Sequence, residues 1–459
     1  MVATIPVADA AVETFRSRLR GPLLRPDDDG YDAARTIWNA MIDRRPALIA
    51  RCAGAADVIA AVEFGREHEL PISVRGGGHN VAGNALVEGG LMIDLSPMKS
   101  IRVDPDGRTA RAEPGVVWGE LDRETQGFGL ATVGGTVNTT GIAGLTLGGG
   151  FGWLSNKYGL AVDNLLSADV VTAGGRLLHA SADEHPDLFW ALRGAGANFG
   201  VVTSFEYRLH PVGPTILGGM VLHPLDQVRE VLRFYREFIA GAPDELTTYA
   251  AILTDPDGIQ VAGLALCYSG NLTEGERAVA PLRAFGSPIA DMVDRMPYLA
   301  QQALLGMGFP YGRQNYWQSG LTRTLTDDAI EAIVDYAPSV PSPFTAIVLA
   351  ANAGAVGRVD PGETAYYHRA APYNFMILSA WESPVETERN VRWTREFFAA
   401  VRPQLSGGVY VNDLNDPREE GDARVREAYG ANYSRLAAIK ATYDPTNVFR
   451  ANQNIRPSL

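Results

Sequence analysis

The chain has 459 residues, of which 46% are hydrophobic and 20% are charged, and its formal net charge is −13. Length alone predicts two or three domains. The negative charge disfavours nucleic acid and anionic membrane surfaces as partners, because both are bound by clustered Lys and Arg. The two cysteines, Cys52 and Cys267, lie far apart, which excludes a disulfide framework and disfavours a thiolate metal site.

The N-terminal stretch has neither a basic start nor an unbroken apolar core, and no run of about 18 apolar residues occurs in the chain. These patterns predict neither a signal peptide nor a transmembrane helix. The simplest expectation is a cytoplasmic protein. The sequence leaves open whether that protein is a monomer or a homodimer.

The first 210 residues read as irregularly spaced helices and strands. The apolar residues of 54–69 share one face of a helix. A second helix is predicted at 183–194, where Asp183 is the expected N-cap. Pro186 lies in its first turn and Gly194 follows its last turn. Further predictions are strands over 71–75, 91–95, 101–103 and 201–209 and a helix near 117–126. This mixture predicts an α+β domain, not a regular βαβ repeat.

The composition changes at the Pro/Gly cluster of residues 211–214, which predicts a domain boundary. From there to about residue 425, strand patterns alternate with long helical patterns, as expected for an antiparallel sheet covered by helices. The last part is a helical pattern that stops at Asp444 and Pro445 and continues as an extended tail.

Two glycine-dense segments indicate a ligand that packs against backbone. Residues 75–80 read RGGGHN after a predicted strand, and successive N–H groups in such a turn form a concavity suited to a pyrophosphate. Residues 134–152 read GGTVNTTGIAGLTLGGGFG, which is costly to order unless a ligand compensates. A flexible loop is the alternative, but the interleaved Ile142, Leu145 and Phe151 are unlike a solvated linker.

Other ligand sites are disfavoured by their sequence context. The segment GAGANFG at 194–200 looks like a dinucleotide fingerprint, but a helix precedes it and a strand follows, the reverse of a Rossmann site. The seven histidines show no HExxH spacing, so no metal is expected. The chain has neither a P-loop nor a G-x-S-x-G elbow.

Three features together carry a family resemblance. They are the strand followed by RGGGHN, the segment GGTVNTTGIAGLTLGGGFGWLSNKYGLAVDNLLSADVVTAGG, and the C-terminal NYSRLAAIKATYDPTNVFRANQNI. They resemble the berberine bridge enzyme-like branch of the vanillyl-alcohol oxidase / p-cresol methylhydroxylase flavoprotein superfamily. The resemblance implies an α+β fold with a two-part FAD-binding domain of the p-cresol methylhydroxylase type, residues 1–210 and 426–459. It also implies an inserted substrate-binding domain, residues 211–425, whose antiparallel sheet covers the flavin ring.

The same resemblance implies that FAD is the cofactor and that His79 bonds covalently to the 8α-methyl group of the flavin. Relatives with a second, cysteinyl link carry it in a G-x-C-P-T-V-G motif. Val137 stands at the position of that cysteine, so attachment through His79 only is expected. Leu145 stands where some relatives have a histidine. The residues implied to contact the cofactor are His79, Arg75, Gly76, Gly77, Gly78, Asn80, Gly135, Thr136, Thr140, Gly141, Leu145, Gly150, Gly152, Val202, Asn452 and Asn454.

For the reaction, the resemblance implies that a hydride passes from a substrate carbon to flavin N5 while a base removes a proton from the substrate. The family's Y-x-N-Y-x-D motif corresponds to residues 410–415, where Tyr410 and Asn412 match and Asp413 replaces the second tyrosine. Whether Tyr410, Asp413 or no residue is the base stays open. Residues 410 and 413 of a strand point to opposite faces, so Asp413 needs a turn after Asn412 to reach the flavin.

Two further groups of residues are candidates for the substrate site. His368, within the segment YYHR at 366–369, is a catalytic candidate, and a structural strand is the equal alternative. The aromatic residues of FPYGRQNYW at 309–317 form either pocket wall or core.

The leading hypothesis for function is an FAD-linked oxidase. It would act on a small alcohol, amine or phenol-type molecule, with O₂ as acceptor and H₂O₂ as product. One alternative is a dehydrogenase or oxidative cyclase of the same fold that reacts poorly with oxygen. Another is a non-catalytic flavin-binding protein. A nicotinamide-dependent reductase is disfavoured because the chain has no feature for binding nicotinamide.

Overall fold

In its described residues, the first half of the chain builds three sheets, of four, five and two strands, with helices around them. The structure, a computed structural model, describes residues 7–405 and 407–458. The helices of this half are α1 Asp9–Arg18, α2 Tyr31–Arg35, α3 Ala55–Glu67, α4 Trp118–Gln126, α5 Ile142–Gly148, α6 Ser155–Tyr158 and α7 Pro186–Ala195. The strands are β1 Leu23–Leu24, β2 Leu48–Arg51, β3 Ile72–Arg75, β4 Leu91–Asp94, β5 Ile101–Asp104, β6 Thr109–Ala112, β7 Leu130–Ala131, β8 Leu165–Val171, β9 Leu177–Ser181, β10 Val201–Arg208 and β11 His210–Pro211.

The first sheet has the strand order β1-β2-β4-β3, and β4 pairs parallel to both of its neighbours. The second sheet is antiparallel, in the order β5-β6-β10-β8-β9. Apolar residues of α3, among them Val58 and Val62, share one core with Ile93 of the first sheet and with Val171 and Val201 of the second. Helix α3 and its apolar face therefore hold the two sheets together.

The second half of the chain builds one large antiparallel sheet. Its strands are β12 Thr215–Pro224, β13 Leu246–Thr254, β14 Gln260–Tyr268, β15 Ala290–Asp291, β16 Asp294–Pro297, β17 Gln314–Thr322, β18 Ala346–Ala351 and β19 Tyr373–Trp381. The order is β15-β12-β14-β13-β18-β19-β17, and β16 also pairs with β12. The helices of this half are α8 Val228–Ile239, α9 Leu272–Arg283, α10 Tyr298–Ala303, α11 Asp327–Tyr336, α12 Ala355–Arg358, α13 Thr387–Val401, α14 Pro417–Tyr429 and α15 Tyr433–Tyr443.

Side chains of the large sheet alternate between two apolar environments. In β19, Phe375 and Ile377 pack against the covering helices α8, α11 and α13, whereas Met376 and Leu378 point to the opposite face. In β13, Ile252 faces the helices and Tyr249 faces away from them. Because both faces are covered, these strands are apolar at nearly every position, and all nine residues of β19 are buried.

The C-terminal segment returns to the first half of the chain. Leu436 and Ile455 join the core that contains α7 and β10. The ammonium of Lys440, which is fully buried, donates to Asn198 O, to Asp444 Oδ2 and to Phe449 O at 2.6–2.9 Å. All three of its protons are therefore paired, which compensates for burying the charge.

The α+β class predicted from the sequence is confirmed, and the predicted helices and strands of the first half lie within a few residues of those observed. The N-cap predicted for α7 was wrong. His185, with φ 49°, precedes Pro186 at the first helical position, and the backbone N–H of Asp183 donates to Ser181 Oγ in a separate turn. Within the described residues, no helix combines the length and apolar composition needed to span a membrane.

Candidate active site

A cavity of about 1080 Å³ lies between the glycine-dense segments of the first half and the large sheet of the second. Its wall has two parts. One part, which we call the glycine wall, consists of residues 76–80, 135–148 and 194–202 together with 449–453. The other part, the sheet wall, consists of the cavity-facing residues of β12, β13, β14, β17, β18 and β19.

The glycine wall is formed by two segments whose backbones touch. A Cβ atom added to Gly77 would lie 2.5 Å from both the N and the Cα of Gly141. One added to Gly141 would lie 2.5 Å from Gly77 N and 2.7 Å from Gly77 Cα. No side chain fits at either position, so the requirement for glycine here is steric. The contact closes the two predicted ligand-binding segments into one surface of bare backbone, the kind of surface that suits a pyrophosphate.

Most of the residues predicted to contact a cofactor lie on the cavity wall. They are Gly76, Gly77, Gly78, His79, Asn80, Gly135, Thr136, Thr140, Gly141, Leu145, Val202 and Asn452. The wall does not include Arg75, Gly150, Gly152 and Asn454. The guanidinium of Arg75 instead makes a bidentate ion pair with buried Asp94 and donates to the carbonyl of Ala34. Arg75 therefore links the end of β3 to the end of β4. A Cβ at Gly152 would overlap Gly134 O, so this glycine serves the packing of the segment itself.

His79 lies at one end of the glycine wall between two aromatic rings. Its imidazole stacks on Trp38, with ring centroids 4.4 Å apart and an interplanar angle of 16°. It makes a T-shaped contact with Tyr311, with ring centroids 6.2 Å apart. Burial lowers the pKa of His79 to about 4, so the imidazole is neutral at physiological pH. Its Nε2 is buried without a hydrogen-bond partner among the described residues.

The sheet wall is almost entirely apolar. Its side chains include Met220, Leu222, Leu253, Val348, Met376, Leu378 and Trp317. Two buried polar atoms on this wall, the hydroxyl of Tyr249 and the indole N–H of Trp317, have no hydrogen-bond partner among the described residues. Buried polar groups are nearly always paired in native proteins, so these two atoms are exceptions to that rule.

Tyr410 and Asp413 both reach the cavity wall, because residues 411–413 form a 3₁₀ turn. The turn begins at Val411, one residue earlier than the sequence required, and includes Asn412. The Tyr410 hydroxyl accepts hydrogen bonds from Gly150 N at 2.8 Å and from Asn412 Nδ2 at 2.7 Å. Its own proton is donated to neither of these groups. Burial, followed by the nearby Asp413 carboxyl, raises the pKa of Tyr410.

Asp413 is the only carboxyl group in the described part of the cavity wall besides Asp255. Its Oδ2 accepts a hydrogen bond of 2.9 Å from Asn374 Nδ2, and both side chains are buried. Burial raises the pKa of Asp413 to about 7, and the bond from Asn374 opposes that rise. A carboxyl group with such a pKa exchanges protons readily near neutral pH.

Of the remaining candidate residues, some line the cavity and others lie outside it. His368 lies outside the cavity wall: its Nε2 bonds with Glu427 O, and its ring covers Gly408. In the segment 309–317, Phe309 and Trp317 line the cavity, whereas the hydroxyl of Tyr316 bonds with Glu419. Sequence reasoning missed Trp38, Tyr249 and Asn374. Each reaches the site only through contacts with distant segments, so no local pattern marks it.

Family models match two parts of the chain. The model described as an FAD binding domain matches residues 46–181, and the model described as berberine and berberine like matches residues 409–456. The matched ranges include both glycine segments, and Tyr410 and Asp413.

The chain is similar over nearly its whole length to characterised flavoproteins. It is 36% identical to (R)-6-hydroxynicotine oxidase of Paenarthrobacter nicotinovorans, over 96% of this chain and 97% of that protein. The crystal structure of 6-hydroxy-D-nicotine oxidase from Arthrobacter nicotinovorans superposes with a TM-score of 0.88 at 34% identity, covering 96% of this chain and 98% of that one. A chitooligosaccharide oxidase structure superposes with a TM-score of 0.85 at 26% identity, covering 98% and 100%.

Proposed function

This chain belongs to the berberine bridge enzyme-like family of FAD-linked oxidoreductases, and we propose that it is an oxidase whose FAD is attached covalently through His79 alone. In this proposal it oxidises a small organic molecule by hydride transfer to flavin N5, and O₂ accepts the electrons to give H₂O₂. The observation that carries the proposal is one cavity in which the glycine wall and His79 face Tyr410, Asp413 and the apolar sheet wall.

FAD belongs against the glycine wall, where it supplies the electron-accepting ring. The backbone of Gly76, Gly77 and Gly141 offers N–H groups and no side chains that would hinder a pyrophosphate. We assign residues 1–210 and 426–459 to the FAD-binding domain and 211–425 to the substrate-binding domain. The packing of Lys440 against Asn198 O supports joining the C-terminal segment to the first part.

A single covalent bond to the flavin is supported by the positions of the cysteines. Val137 stands where a second, cysteinyl link would originate. Cys52 and Cys267 are free and buried, and each belongs to an apolar core cluster. His79 therefore carries the attachment by itself.

Asp413 is the proton acceptor in this proposal. Near pH 7 a large fraction of its carboxyl groups is ionised, and Asn374 fixes the carboxylate at the cavity wall. The phenol of Tyr410 remains protonated, since its pKa is raised, and it is oriented by two N–H donors. Asp413 then removes the proton of a substrate O–H or N–H, while Tyr410 donates a hydrogen bond that orients the same group.

The sheet wall favours a substrate with an apolar, planar body. Met220, Val348 and Met376 offer no hydrogen bonds to a sugar, and each buried hydroxyl without a partner costs about 1–3 kcal/mol. Tyr249 and Trp317 supply two polar contacts at most. We therefore propose an aromatic or alicyclic alcohol, amine or phenol as substrate, in contrast to the oligosaccharide named for one structural relative.

The purified protein tests the proposal directly. We expect a yellow protein whose flavin stays in the pellet after acid precipitation, and a His79→Ala variant that releases it. A panel of aromatic and alicyclic alcohols, amines and phenols, mixed anaerobically with the protein, should contain a compound that bleaches the flavin. Admission of air should then restore the oxidised spectrum and form one H₂O₂ per turnover. A flavin that is bleached but not reoxidised by air would identify a dehydrogenase instead.

A further inference from the structure

Two segments that are distant in sequence are hydrogen bonded to each other beside His79. They are residues 38–40, after α2, and residues 309–315, before and within β17; together we call them the His79 clamp. The bonds are Trp38 Nε1 to Phe309 O (2.9 Å), Gly312 N to Trp38 O (3.3 Å), Ala40 N to Arg313 O (2.9 Å), Asn39 Nδ2 to Asn315 O (2.9 Å) and Asn315 N to Asn39 Oδ1 (2.9 Å). The clamp therefore joins the first half of the chain to the large sheet.

The clamp holds both the imidazole and the backbone that carries it. The indole ring of Trp38, which is only 1% exposed, stacks on His79 nearly in parallel. The backbone N–H of Trp38 donates to Gly78 O at 3.1 Å, and the hydroxyl of Tyr311 donates to Gly77 O at 2.8 Å. The ring plane of His79 and the glycine turn before it are thus fixed by the same two residues.

We propose that Trp38 and Tyr311 are positioning residues for the covalent attachment of FAD to His79, an inference that rests on the proposed function. A covalent bond between two bound groups forms fast only when the reacting atoms are held at contact distance with their orbitals aligned. Stacking on Trp38 restricts rotation of the imidazole about its side-chain torsions, so the attacking nitrogen keeps one direction. The bond from Tyr311 to Gly77 O holds the backbone turn that carries His79.

Covalent attachment is a two-electron oxidation, and dioxygen is its oxidant. The bond that forms joins an imidazole nitrogen to the 8α-methyl carbon of the flavin. The bonds that break are one methyl C–H bond and the imidazole N–H bond. The two electrons of the C–H bond remain in the flavin ring together with two protons. Dioxygen then accepts both electrons and both protons and leaves as H₂O₂, which restores the oxidised flavin.

The arrangement makes attachment depend on contact between the two halves of the chain. Residues 38–40 come from the first half of the chain. Their hydrogen-bond partners, both carbonyls and N–H groups, come from residues 309–315 of the second half. When the clamp is broken, the glycine wall still offers its backbone to FAD, but the imidazole loses its fixed direction. The expected phenotype is a protein that binds FAD and attaches it slowly.

The test separates bound FAD from attached FAD. Wild type, Trp38→Leu, Trp38→Phe and Tyr311→Phe are produced in riboflavin-starved cells so that they are purified without flavin. They are then incubated with FAD in air and precipitated with acid at intervals. Flavin in the pellet and in the supernatant is then measured. Trp393→Leu is the matched control, because Trp393 is also a buried tryptophan that donates its indole N–H, to Ser339 Oγ, but it packs in the helical layer behind the sheet. His79→Ala defines zero attachment.

We expect Trp38→Leu to attach FAD about tenfold more slowly than wild type, the factor that one aromatic pair is worth, while total bound flavin stays within about twofold. Trp38→Phe keeps a ring under the imidazole and should lose about threefold. Tyr311→Phe, at a half-exposed position where folding is not at risk, should also slow attachment. Trp393→Leu should attach at the wild-type rate.

Equal attachment rates in wild type, Trp38→Leu and Tyr311→Phe would overturn the inference while leaving the proposed function intact. A wild-type protein whose flavin is entirely released by acid would instead refute covalent attachment, and the clamp inference with it. If Trp38→Leu does not fold, the rates of Trp38→Phe and Tyr311→Phe decide the question.

Discussion

The two walls of the cavity achieve their shapes by opposite means. The glycine wall is backbone against backbone, and at Gly77 and Gly141 not even a methyl group fits. The sheet wall is built from side chains of six strands, and any one of them contributes only part of the surface. A backbone surface tolerates no substitution, whereas a surface of apolar side chains tolerates changes that conserve volume. The first wall is therefore suited to a constant cofactor and the second to a substrate that differs among relatives.

Tyr410 and Asp413 lie where the two walls meet, and each is hydrogen bonded to a different side of the cavity. The hydroxyl of Tyr410 accepts a hydrogen bond from Gly150 N, just after the second segment of the glycine wall, and the carboxyl of Asp413 accepts one from Asn374 of β19 in the large sheet. The two proposed reacting groups are thus held from opposite sides of the cavity. Substitutions on either wall and at this junction test whether the two walls differ in this way.

The largest expected effect is at the junction. Asp413→Asn removes the proposed proton acceptor without changing its size, so kcat/KM should fall by about 10²–10⁴-fold. In the wild type, kcat/KM should decline as the pH falls below about 7, because Asp413 becomes protonated. That acidic limb should be absent in the variant. The flavin spectrum and the acid-stable flavin content serve as controls and should be unchanged; an unaltered pH profile would contradict the assignment.

On the glycine wall, Gly77→Ala should weaken binding of FAD by about tenfold or more, since the added Cβ must displace backbone at Gly141 and overpacking costs about 1–3 kcal/mol. The ratio of flavin absorbance to protein absorbance after gel filtration measures this loss. Gly241→Ala is the control, because nothing lies within 4 Å of its Cβ position. Equal flavin content in the two variants would show that the wall can relax.

At the sheet end of the junction, Asn374→Leu removes the hydrogen bond that favours the ionised form of Asp413. The pKa of Asp413 should therefore rise, and the acidic limb of the kcat/KM profile should move to higher pH. Activity at pH 7 should fall by about tenfold, because a hydrogen bond to a charged group is worth about 1.5 kcal/mol or more, which is about one pKa unit. Recovery of the wild-type rate at alkaline pH would separate this effect from misfolding; a limb that stays in place would argue against Asn374.

On the sheet wall, Met376→Leu should have the smallest effect. The substitution nearly conserves volume, so it should cost less than about 1.5 kcal/mol of stability and leave flavin content unchanged. Because Met376 lines the cavity, KM for the substrate should change by a few-fold. Steady-state kinetics beside a thermal melt measures both. A loss of flavin as large as that of Gly77→Ala would remove the contrast between the two walls.

The sequence alone was sufficient for features that depend on neighbouring residues. The α+β class, most elements of the first half, the absence of Rossmann context around 194–200 and the family resemblance all follow from local order. The glycine segments were readable because a backbone that approaches a ligand or another backbone must be glycine whatever lies elsewhere. The sequence left open whether 410–413 continue as a strand or turn. The observed 3₁₀ turn packs against β17 of the large sheet and against α5, which are distant in sequence.

Only the tertiary structure decided which side chains share the cavity. Trp38 meets Phe309 across 271 positions of sequence, and Gly150 meets Tyr410 across 260. Arg75 belongs to a glycine motif, yet it pairs with Asp94, because a buried guanidinium must find its counter-charge on a neighbouring strand. Contacts over such distances leave no periodic trace along the chain, since they arise from the packing of whole sheets rather than from the propensity of any segment.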